Sequence, residues 1–240
     1  MIHPNYITAP MGRARSDIVS PHSLIHVTWR CHDKKFYLKS HEMKQFVYKT
    51  LLKYKSKYGI KIIDYVIMDN HIHFTAFVED LKPFSSFMRS SNSIIARRIN
   101  DVYDKRSQAI EDRYRSPVIM DEEYHINTIG YIWQNPVRAN IIDIADIEEY
   151  LYSSLYCRYR GIKDELIEDY ESIRELLGHS LGAGESCMKF VRDFVNRLKS
   201  EMSDLSDLCS EIFEHIHSIG TNDFRLARRR IDQFRSSLGP

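Results

Sequence analysis

At 240 residues, 43% hydrophobic and 28% charged, the chain has the composition of an ordinary globular protein with one full core and a smaller second unit, which excludes disordered and collagen-like classes. No apolar run approaches the roughly 18 residues of a membrane span, and the start MIHPNYITAPMGRARSD lacks the apolar core of a signal peptide, so a cytoplasmic protein with no membrane partner is expected. The net charge of +1 hides an asymmetry: residues 1–120 carry 20 Lys+Arg against 11 Asp+Glu, and residues 121–240 carry 14 against 22. A basic half suits contact with a phosphate backbone, although solvated helix faces produce the same count.

Leu24–Cys31 alternates Ile25, Val27 and Trp29 against His26, Thr28 and Arg30, the period of a half-buried strand. Ser40 can cap the helix that follows, in which Met43, Phe46, Val47, Thr50, Leu51, Tyr54 and Tyr58 recur at helical spacing until Gly59. Ile60–Met68 and His71–Val78 are β-rich and separated by Asp69-Asn70, which predicts a hairpin. From Pro83, the positions Phe84, Phe87, Met88, Ser91, Ile94, Ile95, Ile99 and Val102 return to helical period, with Arg89, Arg97 and Arg98 left for flanks or solvent. A polar stretch leads to a short strand at Ser116–Met120. Asp121 then caps a helix that carries Tyr131 and should end or kink at Pro136, whose ring removes an N–H and crowds the preceding turn.

This β-α-β-β-α-β order predicts an α+β fold: a ferredoxin-like core with an antiparallel sheet and helices on one face. A catalytic domain over residues 1–161 and a C-terminal helical region over 162–240, with an acidic tract at 164–217 and an arginine run at Arg228–Arg230, complete the expected organisation. The cysteines Cys31, Cys157, Cys187 and Cys209 are scattered without metal-ligand or disulfide spacing, and are read as reduced.

His71-Ile72-His73 lies on a predicted strand, so both imidazoles leave one face while Ile72 and Phe74 lock the other to the core. Such a pair suits a divalent metal, but histidines on a strand are more often structural or merely exposed. Tyr131 and Asn135 stand four residues apart on a predicted helix, which sets a phenol and an amide oxygen on one face. A phenol becomes a covalent nucleophile when a metal or base activates it against a positioned electrophile such as a phosphodiester. Two surface residues near a proline stop would have the same spacing.

Several motifs occur in a fixed order: Met68-Asp69-Asn70-His71-Ile72-His73-Phe74, Phe87-Met88-Arg89, Arg113-Tyr114-Arg115-Ser116, Tyr131-Ile132-Trp133-Gln134-Asn135-Pro136-Val137-Arg138-Ala139 and Tyr150-Leu151-Tyr152-Ser153-Ser154. The series resembles the single-tyrosine HUH transposases, and within them the REP-associated tyrosine transposases, from about Leu24 to Gly161. The resemblance implies that His71, His73 and Asn135 bind Mg²⁺ or Mn²⁺ and that Tyr131 attacks the scissile phosphate of single-stranded or hairpin DNA. It also implies a 5′-phosphotyrosine whose retained bond energy lets a second DNA end be joined without a nucleotide cofactor, by a monomer or homodimer. Arg13, Arg15, Arg30, Arg115 and Arg138 are the candidate contacts to DNA. Asp69 departs from the family's usual Pro, Asn140 from its Gly, and Arg30-Cys31-His32-Asp33 from its Gly-Asn turn. A domesticated nucleic-acid-binding protein that keeps the fold without cleaving is the alternative. A zinc hydrolase built on the histidine pair would lack a carboxylate or Cys ligand at a recognisable spacing.

Overall fold

A computed structural model describes residues 20–111, 114–169, 189 and 191–201. Its elements are β1 (Ser23–Arg30), α1 (His41–Tyr58), β2 (Lys61–Ile67), β3 (His71–Val78), α2 (Leu81–Val102), β4 (Val118–Ile119), α3 (Glu122–Arg138) and α4 (Ser154–Arg160). All eight lie within one compact unit, Thr8–Asp193.

The helix boundaries follow local chemistry. Ser40 accepts from the Met43 amide at the start of α1, and Gly59 ends it in the left-handed conformation, at φ 65°. Asp80 and Asp121 cap α2 and α3 in the same way. Contrary to expectation, α3 does not stop at Pro136 but runs two residues beyond it to Arg138. So near the terminus the missing N–H frees little: the Asn135 amide donates to the Tyr131 carbonyl at 2.7 Å and reaches that of Ile132 at 3.4 Å, covering the carbonyl that Pro136 would have left orphaned.

The four strands form one antiparallel sheet in the order β2-β3-β1-β4, the arrangement of a ferredoxin-like core. Ile25, Val27 and Trp29 of β1 and Ile72, Phe74, Ala76 and Val78 of β3 face Val47 and Leu51 of α1 and Phe84 and Phe87 of α2 in a single apolar cluster. Trp29 and Trp133 are both buried. The opposite face of the sheet is not bare, although helices on one face alone were expected. It is roofed by α3, whose Ile129, Ile132 and Trp133 are fully buried.

One polar node ties α3 to the sheet. The Ser154 hydroxyl donates to Asp64 at 2.9 Å and accepts from the Trp133 indole at 3.1 Å and the Tyr65 amide at 3.2 Å. Arg158 closes it with an ion pair to the fully buried Asp64. The preceding residues cover the exposed edge of β2: the Ile67 amide donates to the Tyr152 carbonyl, and the Tyr150 hydroxyl donates to the Ile67 carbonyl. The Tyr150–Ser154 motif is therefore an edge cover and a clasp on the helix that carries Tyr131.

Residues 162–169, expected to begin the helical region, instead form turns against β2. The Asp164 carboxylate receives hydroxyls from Tyr48 and Tyr65, and Leu166 enters the core cluster, contacts that a helix starting there would break. Residues 191–201 are helical, while Arg228–Arg230 lie outside the described residues. Cys31 and Cys157 are free, and Cys187 and Cys209 also lie outside. Among the described residues no helix is long and apolar enough to cross a membrane.

Ser154→Ala should destabilise the domain by at least about 2 kcal/mol in urea unfolding, because it removes the shared partner of buried polar groups. Ser153→Ala, which removes only the cap of α4, should cost about 1 kcal/mol.

Candidate active site

The strand alternation that sends Ile72 and Phe74 into the core turns His71 and His73 to the face beneath α3. On β1, Arg30 stands across from His71, Thr28 from His73 and His26 from Thr75, so His26, Thr28 and Arg30 share that face. From the roof, Tyr131 sets its ring edge-on to His73, with centroids 5.4 Å apart, and 6.0 Å from that of His26. Asn135, one turn along, brings its side chain to His71. The four residues singled out by the motifs are thus brought together from β3 and α3.

The donors are neutral. Burial pushes His71 down to about 4, helped by the Arg30 charge. His73 lies well below the ordinary histidine value, first because it is buried and then because of His26, His71, Arg30 and Arg138. Asn70 settles the His71 tautomer. Its Nδ2 donates to the Lys34 carbonyl at 2.8 Å, which directs its Oδ1 at His71 Nδ1, 2.6 Å away. An amide oxygen only accepts, so Nδ1 carries the proton and Nε2 keeps its lone pair. Asn135 spends its amide N–H groups on the carbonyls of its own helix, which leaves Oδ1 for the site.

This donor set fits a divalent cation. Two imidazoles and an amide oxygen bring no charge of their own, so a cation held by them keeps its attraction for phosphate. Among the described residues no three His, Cys, Asp or Glu side chains converge as a metal cluster, and the third donor beside the histidine pair is the Asn135 amide.

Two residues of this centre escaped the sequence reading. His26 was read only as a residue on the polar side of β1, and its Nε2 lies 3.0 Å from His73 Nδ1 with the rings stacked. Asn70 was read only as a turn residue. The alternation of β1, which puts His26 on the face opposite Ile25 and Val27, was the available signal.

The Arg138 guanidinium lies over the Tyr131 ring, 4.9 Å from its centroid, on the exposed end of α3. Arg115 is exposed, and its backbone pairs with Thr28 beside the site. Arg30 is half-buried next to His71. Arg13 and Arg15 lie outside the described residues. Of the tyrosines nearest to Tyr131 in the sequence on its N-terminal side, Tyr114 packs edge-on against Phe84 in the α2 layer, and Tyr124 sits in the first turn of α3, where burial raises its pKa.

His26, like His71, is pushed down to about 4, by burial. An unfolded chain binds protons at these histidines near pH 6.5 and the fold does not, so stability is full above that pH and falls as the pH drops toward 4. The urea midpoint should therefore decline from about pH 7.5 to about pH 5. A flat profile would show that these imidazoles are not held neutral.

No curated protein matches the chain. Among solved structures, that of a REP-associated tyrosine transposase bound to a REP hairpin is similar with a TM-score of 0.51 at 16% identity, over 66% of this chain and 92% of that one. This likeness supports the fold. A second, described as a candidate transposase from Deinococcus radiodurans, scores 0.36 at 14% identity over 55% and 92% of the two chains, too low to bear on the argument. The family model described as "Transposase IS200 like" matches residues 20–141, just over half the chain and the whole stretch from β1 through α3. The chain therefore belongs to the IS200-like, single-tyrosine HUH transposase family.

Proposed function

We propose that this transposase cleaves and rejoins single-stranded DNA with Tyr131 as its nucleophile, on a centre formed by His71, His73 and Asn135. The observation that carries the reading is the meeting of the Tyr131 ring with His73 beneath α3, with Asn135 one turn along the same helix against His71. His71, His73 and Asn135 would hold Mg²⁺ or Mn²⁺, which when bound supplies a positive charge that polarises the scissile phosphate.

The Tyr131 Oη–P bond forms as the P–O3′ bond breaks. The phenol proton leaves, and the departing 3′ oxygen takes up a proton, giving a 5′-phosphotyrosine and a free 3′-OH. Attack by a second 3′-OH on the phosphotyrosine reverses the step and joins a new strand, so no nucleotide cofactor is consumed. Arg138, whose guanidinium lies over the Tyr131 ring, would hold the charge of the incoming phosphate, and Arg30 and Arg115 would extend that positive surface along the β1 side. The hairpin held by the structural relative supports unpaired or hairpin DNA as the substrate here.

His71→Ala together with His73→Ala should abolish cleavage, and EDTA should do the same to the unaltered protein. Circular dichroism should show a folded variant, since one ring is half-buried and the other sits under a helix anchored elsewhere through Ser154. A folded double variant that cleaves at the full rate would remove both histidines from the mechanism.

Tyr131→Phe should eliminate both cleavage and the covalent protein–DNA adduct on labelled hairpin DNA with Mg²⁺, with affinity for that DNA unchanged within a few-fold. The ring and its packing remain, and the attacking oxygen does not. Mass spectrometry of the DNA-linked peptide checks the assignment directly, and a nucleotide on Tyr114 or Tyr124 would overturn it.

A further inference from the structure

We propose that His26 is a positioning residue that keeps the proton of His73 on Nδ1, so that the Nε2 of His73 stays open toward the cation site. The inference rests on the metal-dependent reading above and assigns a role to a residue outside the HUH motif.

His26 and His73 come from neighbouring strands. His73 pairs with Thr28, and His26 lies two residues back along β1 on the same face, so the sheet register itself sets one ring against the other. Their centroids are 5.1 Å apart at an interplanar angle of 27°, and His26 Nε2 is 3.0 Å from His73 Nδ1. Both residues are buried, at 2% and 5% exposure. Since His26 spends its Nε2 on His73, it is a neighbour of that ring and not a third ligand.

Between two neutral imidazoles a hydrogen bond holds one proton, and there are two ways to hold it. If His26 donates, His73 carries its own proton on Nε2, and an N–H points where a cation would bind. If His73 donates from Nδ1, its Nε2 lone pair is available. The second arrangement needs a buried acceptor beside Nδ1, and His26 Nε2 supplies one. An apolar side chain at position 26 would strand that N–H away from water, at a cost that shifts the proton to Nε2 and blocks coordination. Asn70 performs the same service for His71 with an amide oxygen, so each histidine of the pair has its Nδ1 held by a different neighbour.

Long-range ¹H–¹⁵N correlation spectra of the metal-free protein read the tautomer directly, and His73 should be protonated at Nδ1. Mn²⁺ titration then compares variants. His26→Leu should weaken Mn²⁺ binding about 10–100-fold, the usual cost of losing such an outer partner. His26→Gln should restore it to within a few-fold, because the glutamine amide reaches the position of imidazole Nε2 and its oxygen accepts. His26→Asn, whose shorter amide stops at the position of Nδ1, should not. A wild-type spectrum with His73 protonated at Nε2 overturns the proposal, as does unchanged Mn²⁺ affinity in His26→Leu. Should the leucine variant not fold, equal affinities for the Gln and Asn variants overturn it in the same way. The His71→Ala/His73→Ala variant separates the two levels. If it binds Mn²⁺ normally the cation site itself is wrong, whereas loss there with His26→Leu unaffected sinks only the role of His26.

Discussion

The pairing of β1 with β3 is the constraint on which the centre depends. In that register, Ile72 and Phe74 enter the core beneath α1 and α2 while His71 and His73 leave on the other side, across from Arg30 and Thr28. A slip of one residue would exchange the two sets, burying imidazoles among Phe84 and Phe87 and presenting isoleucine and phenylalanine to the site. The hydrophobic demand of the core therefore specifies which face carries the histidine pair, and the side chains that stabilise the fold orient those proposed to act on DNA. The same register sets His26 beside His73, so even the outer partner of the centre is positioned by the backbone ladder.

The second half of the centre arrives on α3, and its position depends on polar contacts that are costly to break. Trp133 is buried on the side of α3 that meets the Ser154–Asp64–Arg158 node, and Tyr131 and Asn135 follow from it by helical geometry. Within the helix, Asn135 serves two ends at once: its amide nitrogen caps carbonyls near Pro136, and its oxygen is left facing the site beside His71. Pro136 thus limits the freedom of the residue before it, and the helix persists through a residue that ordinarily ends one.

Departures from the family pattern find local compensation. Asp69, where the family usually has Pro, forms an ion pair with Lys44 at 2.5 Å, and both side chains are largely withdrawn from water. Lys44 also lies over the rings of Tyr150 and Tyr152, so the turn that leads into His71 is tied both to α1 and to the edge cover of β2. Asn140, where the family usually has Gly, takes the left-handed conformation at φ 52° just past the end of α3, which asparagine tolerates better than other residues with a Cβ. In the altered turn after β1, Asp33 and Lys34 both have positive φ, and the Lys34 carbonyl is the group that orients Asn70 toward His71.

Much of this was legible in the chain itself, because the signals are local. Period-two alternation marked β1 and β3, helical spacing marked α1 and α2, and the caps Ser40, Gly59 and Asp121 marked both ends of α1 and the start of α3, since each reflects hydrogen bonding within a few residues. The same locality put His71 with His73 on one face and Tyr131 with Asn135 on another, and the ordered motifs joined the two pairs. What tertiary structure alone decided depends on groups far apart in sequence. Asp64 meets Ser154 and Arg158 across some ninety residues, Asp164 draws turns onto β2 where a helix was expected, and α3 closes a face that strand alternation could only describe as polar. His26 belongs with these: the alternation of β1 puts it on the face opposite Ile25 and Val27 but does not say what that face meets. Its partner is 47 residues away in the chain and is brought to it by the pairing of β1 with β3.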